Sequence, residues 1–171
     1  LEHCQPTTHA PLMGSYRGLE VATNQLPGGG LMILEMLNIL ECFDLASMGH
    51  NSAAYIATVA EAMKLATIDK DTTMGDPNFV DVPIERLMSK SYAQTLADRI
   101  KAGEKAHVRR INSGTPESKD TTHLVVADSD GNVVNLTHSL GSSSGVITEG
   151  LGFMYNNCMM VFDPRPGQVG S

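Results

Sequence analysis

The sequence is poor in several residue types that would mark a specialised structural class. It contains no tryptophan, and aromatic residues make up only 5% of its 171 positions. The three cysteines are odd in number and far apart, so they predict neither a disulfide framework nor a zinc site of closely spaced thiols. No apolar run is as long as a membrane-spanning helix, and no N-terminal stretch has the pattern of a signal peptide. We expect no membrane span in this stretch of sequence.

Positive charge is also scarce. Twelve Lys and Arg residues stand against 19 Asp and Glu residues, which gives a formal net charge of −7. Nucleic-acid phosphates would repel such a surface, so we exclude DNA and RNA as partners. Hydrophobic residues at 42% and charged residues at 18% are typical of an ordinary globular protein. A chain of this length is able to bury one sizeable core, which predicts one structural domain.

Residues 111 to 140 are the most informative stretch. Residues 111–120 read INSGTPESKD, with no apolar side chain after Ile111. Two β-rich runs follow, at 124–127 and 133–137, and an Asp-Gly turn separates them. This pattern strongly predicts a β-hairpin. A polar linker therefore leads directly into a strand, and Thr121 stands at the junction.

The turn also predicts which residues face each other across the hairpin. A two-residue turn at Asp130-Gly131 places His123 opposite His138 and Thr121 beside Leu140. A longer loop would shift this pairing by one residue.

Neither a metal nor a nucleotide cofactor is predicted. Two facing imidazoles without a neighbouring carboxylate or thiol make a poor metal site. The glycine run at 28–30 lacks the Lys-Ser/Thr of a phosphate loop and does not fit GxGxxG. It is better explained by close backbone packing before a helix.

The position of Thr121 would allow it to act as an activated nucleophile. If the peptide bond after Asp120 were broken, Thr121 would carry a hydroxyl and a free α-amine on the same residue. The amine, with an unperturbed pKa of about 8, can take the hydroxyl proton and so activate the nucleophile. The following loop at 139–145, Ser-Leu-Gly-Ser-Ser-Ser-Gly, either stabilises a developing oxyanion or serves as a flexible connector.

Helical periodicity and capping signals predict four helices, at about residues 31–43, 52–70, 84–89 and 91–102. In the second helix, the spacing of Ile56, Val59, Met63 and Ala66 predicts a buried stripe, with Glu61 facing away.

Strands are predicted on either side of the helical region. Residues 1–15 are expected to form an extended arm, and residues 17–23 a strand with Leu19 and Val21 directed inward. Residues 153–157 are predicted to form a strand after the hairpin. Helices and strands in separate runs predict an α+β fold.

The residues around Thr121 resemble the start of the small subunit of the γ-glutamyltranspeptidases, which are N-terminal nucleophile hydrolases. The resemblance begins with Asp-Thr-Thr-His-Leu-Val-Val-Ala-Asp at 120–128 and extends in order over nearly the whole chain. Its other motifs are Tyr16-Arg17-Gly18, Gly28-Gly29-Gly30, Leu37-Asn38-Ile39-Leu40-Glu41, Glu61-Ala62-Met63-Lys64, Gly75-Asp76-Pro77, Ser91-Tyr92-Ala93, Asp130-Gly131-Asn132 and Asn156-Asn157-x-Met159.

This resemblance implies the layered αββα sandwich of these hydrolases and a fragment that spans their subunit junction. Residues 1–120 would be the end of a large-subunit-like region, and residues 121–171 the start of a small-subunit-like region. Thr121 would be the nucleophile, both for self-cleavage after Asp120 and for attack on an amide. Ser139 matches a family threonine that hydrogen-bonds the nucleophile.

The resemblance also implies a substrate pocket. Asn156 and Asn157 match paired asparagines near it. Gly141 replaces an asparagine that helps to bind substrate, Cys158 replaces a Gln or Glu, and Val161 replaces the Asp that grips the substrate α-amino group.

The implied function is transfer of a γ-glutamyl or related acyl group, as from glutathione, to water or an amine without a cofactor. The remaining segments of the two subunits would be the macromolecular partners. Because Val161 is unable to pair with an ammonium, an amidase or acylase of different specificity is an alternative. A catalytically silent scaffold is another.

Overall fold

The computed structural model describes residues 8–109, 121–141, 143–158 and 165. Helices and strands are mixed there, as predicted, in the order β1 (Leu12–Tyr16), β2 (Leu19–Thr23), α1 (Gly30–Glu41), α2 (Ala53–Thr73), α3 (Ile84–Met88), α4 (Lys90–Lys101), β3 (Thr121–Ala127), β4 (Val133–Ser139), β5 (Ser143–Ile147) and β6 (Met154–Asn156). None of the described helices is both long and apolar enough to cross a membrane.

The chain divides into two compact units. The helical unit holds residues 8–109 with Arg165, and the hairpin unit holds the described residues from 121 to 158. The predicted linker at 111–120, which includes Asp120, lies outside the described residues.

The helical unit is organised around α1, whose apolar side chains Leu31, Leu34 and Ile39 are buried. One cluster of buried residues joins β1, α1 and α3, and a second joins α1, α2 and α4. Their members are Leu12, Leu31, Leu34, Met74, Val82 and Leu87 in the first, and Ile39, Ala62, Leu65, Ala93, Leu96 and Ala97 in the second.

The predicted extended arm contains a strand. β1 pairs antiparallel with β2 across a two-residue turn in which Arg17 and Gly18 have φ of 50° and 83°. Two positive φ values define the turn type that best matches the twist of paired strands. β1 also packs closely against α1. A Cβ atom added to Gly14 would lie only 2.6 Å from Leu34 Cδ2. Leu19 was predicted to point inward but is 69% exposed, while Val21 packs on the core as predicted.

Helix α2 buries a face that matches the predicted one only in part, since Ala66 is fully buried and Val59 half-buried as part of the predicted stripe. Ile56 and Met63 are 54% and 50% exposed, whereas Ala62 is fully buried. The small side chain lets neighbouring helices approach closely, which the larger residues would prevent. Glu61 is buried as well, because its carboxylate accepts hydrogen bonds from Lys64 Nζ at 2.8 Å and from the Ala106 N–H at 2.9 Å.

A buried acidic cluster lies among the helices. Glu35 of α1 is fully buried, and neither carboxyl oxygen meets a hydrogen-bond donor within the described residues. Burial and the neighbouring Asp69 raise the pKa of Glu35 to about 9, so it carries a proton at neutral pH. Asp69 accepts a 2.7 Å hydrogen bond from the Tyr92 hydroxyl, and burial with this bond raises the pKa of Tyr92 to about 12. The Arg86 guanidinium lies 4.7 Å from the centre of the Tyr92 ring.

The hairpin unit is built from two antiparallel pairs, β3 with β4 and β5 with β6. No residue described in this unit is buried. Its apolar side chains on consecutive positions point to both faces of the hairpin and are more than half exposed, namely Leu124, Val125, Val126, Val133, Val134 and Leu136.

Candidate functional site

The predicted hairpin is present, but its pairing differs by one residue from the two-residue-turn expectation. Thr121, the first residue of β3, lies directly opposite Ser139, the last residue of β4. His123 faces Thr137, and His138 faces Thr122. The two imidazoles therefore do not face each other, and His123 Nδ1 lies 2.8 Å from Thr137 Oγ1.

The cause of the shift is a longer loop, held together by Asp128. Its carboxylate accepts hydrogen bonds from the N–H groups of Asp130 and Asn132 at 3.0 and 2.9 Å, and from the Asn132 side-chain amide at 2.8 Å. The backbone closes five residues, because the Asp128 N–H donates to the Asn132 carbonyl at 3.1 Å. The hydrogen bonds from Asn132 hold the pKa of Asp128 below its usual value.

This pairing brings the two predicted catalytic hydroxyls together. Thr121 Oγ1 donates a 3.1 Å hydrogen bond to Ser139 Oγ, which also accepts one of 3.0 Å from the Gly141 N–H. The Gly141 N–H is therefore already engaged with Ser139. The predicted loop at 139–145 is shorter than expected, because β4 includes Ser139 and β5 begins at Ser143.

The predicted substrate-binding residues lie beside this pair. The Asn157 N–H donates to the Leu140 carbonyl at 2.9 Å, which ties the end of β4 to the end of β6. Asn156 Oδ1 accepts a 3.0 Å hydrogen bond from the Cys158 N–H. Gly141 has φ of 72°, and a Cβ placed on it would lie 3.1 Å from Cys158 Sγ.

The structure thus gathers the six described candidates at one end of the hairpin unit, namely Thr121, Ser139, Gly141, Asn156, Asn157 and Cys158. The other two residues singled out by the sequence, Asp120 and Val161, lie outside the described residues. Leu140 was predicted to lie beside Thr121, but its bond to Asn157 was not predicted. The backbone carbonyl of Leu140 accepts this hydrogen bond from Asn157. An apolar side chain in a loop gives no sequence signal for such a contact.

The site end of the hairpin unit has no described carboxylate side chain. The acidic residues described in this unit are Asp128, Asp130 and Glu149, and all three lie in turns. Asp128 follows the last residue of β3, and seven strand residues span about 20 Å from Thr121. Within the described ranges, no three His, Cys, Asp or Glu side chains are placed to hold a metal ion.

Comparisons with known proteins give a consistent family. The family model described as γ-glutamyltranspeptidase matches residues 1–170. An acylase ACY 1 proenzyme from Pseudomonas sp. (strain V22) is 42% identical over 162 residues, covering 93% of this chain and 29% of that protein. A glutathione hydrolase proenzyme from Escherichia coli (strain K12) is 39% identical over 163 residues, covering 92% of this chain and 28% of that protein.

A solved structure shows the same similarity in three dimensions. A cephalosporin acylase from Bacillus halodurans superposes with a TM-score of 0.66 and 29% sequence identity, covering 94% of this chain and 29% of that one. The chain therefore spans less than a third of the length of the curated relatives it matches.

Proposed function

Because the chain belongs to the γ-glutamyltranspeptidase family, we propose that it forms part of a self-cleaving hydrolase and acyltransferase whose nucleophile is Thr121. One observation carries the proposal: Thr121 stands at the head of β3, and its hydroxyl donates to Ser139 Oγ at 3.1 Å. A reacting hydroxyl must be held in a fixed direction. Thr121 is held because β3 is paired with β4 as far as Thr121 itself.

The chemistry proceeds in two stages. In the precursor, the Thr121 hydroxyl attacks the carbonyl carbon of Asp120, and the peptide bond breaks as the acyl group moves from the Thr121 nitrogen to its oxygen. Water then hydrolyses this ester, which leaves a carboxylate on Asp120 and a free hydroxyl and α-amine on Thr121. In the mature protein, that amine takes the proton of the Thr121 hydroxyl as the oxygen attacks the carbonyl carbon of an amide substrate. The tetrahedral intermediate collapses to an acyl-enzyme, with the proton delivered to the leaving amine. Water or another amine then attacks the acyl-enzyme and releases Thr121.

Ser139 acts as a positioning residue in this scheme. Its oxygen accepts hydrogen bonds from both the Thr121 hydroxyl and the Gly141 N–H. With its orientation set by the backbone of Gly141, it holds the nucleophile in one rotamer. Gly141, Asn156, Asn157 and Cys158 line the acyl side of the site.

The proposed substrate class is an amide of a small acyl group. Relatives named glutathione hydrolase support a γ-glutamyl group, as in glutathione-type substrates. A relative named acylase, with 42% identity, supports a different acyl group on the same chemistry.

The proposed architecture is the αββα sandwich of N-terminal nucleophile hydrolases, of which this chain supplies part. Strands that carry apolar side chains on both faces are typical of sheets covered on both sides. The consecutive exposed apolar residues of β3 and β4 fit that position. Residues 1–120 would belong to the large-subunit-like region and residues 121–171 to the small-subunit-like region, with the remaining segments of both as partners.

The test is the intact mass of the full-length protein, with wild type beside Thr121→Ala. We expect wild type to separate into two chains, the second beginning at Thr121, and the variant to remain whole. Thr121→Ser, which keeps a hydroxyl, should still cleave.

Thr72→Ala is the matched control, because Asp71-Thr72-Thr73 repeats the tripeptide at 120–122. Thr72 lies in α2, where its hydroxyl donates to the Ile68 carbonyl at 2.7 Å, and its loss should leave cleavage unchanged. A wild-type protein that stays whole after long incubation would refute the proposal and leave a catalytically silent scaffold.

A further inference from the structure

Two polar cross-strand pairs follow one another at the Thr121 end of the hairpin unit. Thr121 faces Ser139, and two residues further from that end His123 faces Thr137. Side chains on a strand alternate between its two faces, so all four lie on the same face of the β3–β4 pair. The first pair is joined by the 3.1 Å bond between its hydroxyls, and the second by the 2.8 Å bond between His123 Nδ1 and Thr137 Oγ1.

The opposite face of the same two strands has a different character. It begins with Thr122 opposite His138. Its next two cross-strand pairs are apolar, namely Leu124 with Leu136 and Val126 with Val134. On the face that carries Thr121, polar side chains continue inward as far as Asn135. Hydrogen bonds have a preferred direction, so this face is the one on which side chains fix the orientation of the strands near the nucleophile.

The proposed self-cleavage makes Thr121 the first residue of a chain. Chain ends fray unless they are tied down, because few bonds hold them. The loop bonds of Asp128 act at the far end of the hairpin, about 20 Å away. The His123–Thr137 pair is only about 7 Å from Thr121 along the strand. It is therefore placed to restrain the nucleophile at the end that the loop does not reach.

Resting on the proposed function, we infer that His123 is a positioning residue: its hydrogen bond to Thr137 holds the free end of β3 on β4 and so keeps the Thr121 hydroxyl on Ser139. The bond is suited to this task because both protonation states of the ring form it. A threonine hydroxyl accepts a hydrogen bond from Nδ1–H and donates one to a bare Nδ1. The Asp128 loop decides which residues face each other, and this pair limits how far those at the site end move apart.

The experiment follows self-cleavage of full-length protein made by cell-free synthesis with a pulse of labelled methionine. The fraction of uncut precursor is measured against time for wild type, His123→Leu and Thr137→Val. Each variant removes the hydrogen bond and should cleave about tenfold more slowly, because the hydroxyl of Thr121 is held less firmly. Cleavage of both at the wild-type rate overturns the inference and leaves the proposed function standing. A wild-type protein that never cleaves refutes the proposed function itself, and the inference with it.

Conservative and double variants separate positioning from general damage. His123→Asn and Thr137→Ser keep a hydrogen-bonding group and should cleave within about threefold of wild type. The double variant His123→Leu, Thr137→Val should be no slower than either single variant, because both act through one bond. Multiplied effects in the double variant, or equally slow cleavage in the conservative variants, would overturn the inference.

The opposite face supplies matched controls, because Thr122 and His138 are the same residue types in the neighbouring pair. Thr122→Val and His138→Leu should leave the cleavage rate unchanged. The pH dependence of that rate is a further readout. A positioning role leaves the shape of the pH–rate profile unchanged in His123→Leu. Loss of one limb of the profile would show that His123 transfers a proton, and would overturn the assignment.

Hydrogen exchange tests the same role in the cleaved protein. The peptide that begins at Thr121 is followed by mass spectrometry in full-length wild type and Thr137→Val after cleavage is complete. Its first amides should exchange about tenfold faster in the variant, whereas those of α1 should be unchanged. Equal exchange at the start of β3 in the two proteins would contradict the role of the His123–Thr137 pair in holding that end.

Discussion

The helical unit buries many of its apolar side chains, whereas those described in the hairpin unit are largely exposed. Leu31, Leu34 and Ile39 of α1 are almost completely buried within the helical unit. In the hairpin unit, Val134 is 65% exposed, and no described residue reaches full burial. Among the residues that the structure describes, only those of the helical unit form a buried core.

This difference bears on where chemistry is placed. The proposed nucleophile heads β3, whose described apolar side chains on both faces are more than half exposed, namely Leu124, Val125 and Val126. Strands of that kind are rigid only when layers pack on them. The buried residues of the helical unit are fixed by their own packing, whereas the apolar residues described in the hairpin unit are not buried, which fits the covering layers that we propose. Activity should therefore require the rest of the protein, even though the candidate residues are already gathered.

The largest expected effect comes from removing equivalent side chains in the two units. In the 171-residue chain, Leu31→Ala should destabilise folding by about 2–5 kcal/mol, because Leu31 is fully buried. Leu136→Ala should cost less than about 0.5 kcal/mol, because that side chain is 54% exposed. Urea unfolding followed by circular dichroism measures both.

The same two variants in full-length protein test what covers the hairpin. If further layers pack on β4, Leu136→Ala should there become as costly as Leu31→Ala. If the two substitutions were equally destabilising in the 171-residue chain, the proposed difference between the two units would be wrong.

A second, smaller effect concerns the acidic cluster of the helical unit. Folded Glu35 keeps its proton up to about pH 9, while the unfolded state releases it above the ordinary value of 4.5. The unfolded state thus binds fewer protons between these values, and stability falls as pH rises through that window. Glu35→Gln, which stays neutral, should remove this loss, which amounts to about 1.4 kcal/mol for each pH unit between pH 5 and pH 8.

Unfolding free energies at several pH values provide the measurement. Glu20→Gln, on the exposed surface of β2, is the control and should retain the wild-type slope. A Glu35→Gln protein with an undiminished pH slope would show that Glu35 is ionised in the folded state.

Local signals in the sequence predicted most helices and strands, but not which face of each one is buried. The second helix was expected to begin after Asn51 or Ser52, and Ser52 is its cap. Which side of that helix is buried was predicted correctly for Ala66 but not for Ile56 and Met63, because burial depends on neighbours elsewhere in the chain. Glu61 is buried through a hydrogen bond from Ala106, 45 positions away. No periodicity within the helix contains that information.

Which residues lie near one another in the site could be predicted from the sequence, but the register in which β3 and β4 pair could not. Alternating β-rich runs around Asp-Gly predicted the hairpin, and hence that Thr121 lies near Ser139–Gly141. The pairing itself was decided by hydrogen bonds to the Asp128 carboxylate, which lengthen the loop. Side-chain bonds of this kind compete with the two-residue turn on nearly equal terms, so composition alone does not choose between them.

A smaller effect is expected from the helix cap in the helical unit. Ser52 Oγ accepts a 3.1 Å hydrogen bond from the Tyr55 N–H at the start of α2. Ser52→Ala leaves that N–H without its partner and should destabilise the unit by about 1 kcal/mol. Thermal unfolding measures the change, and Ser52→Asp, which restores an acceptor, should recover most of it. Equal stability of all three proteins would mean that the cap is replaced by water at no cost.

The smallest effect on stability, and the most local one, is expected at Asp128 of the hairpin unit. This side chain is fully exposed, so Asp128→Ala should leave the helical unit unchanged. It removes the acceptor that holds the five-residue loop, and the hairpin is then able to adopt the competing two-residue turn. That turn would move Thr121 from Ser139 to Leu140.

Nuclear Overhauser effects between Thr121 and Ser139 in the 171-residue chain report the register directly. They should weaken in Asp128→Ala and persist in Asp130→Ala, which leaves the Asp128 carboxylate in place. If both variants keep the contact, the strands themselves set the register, and the hairpin unit is more self-sufficient than its exposed side chains suggest. If only Asp128→Ala loses it, one loop carboxylate about 20 Å away determines which residue faces the proposed nucleophile.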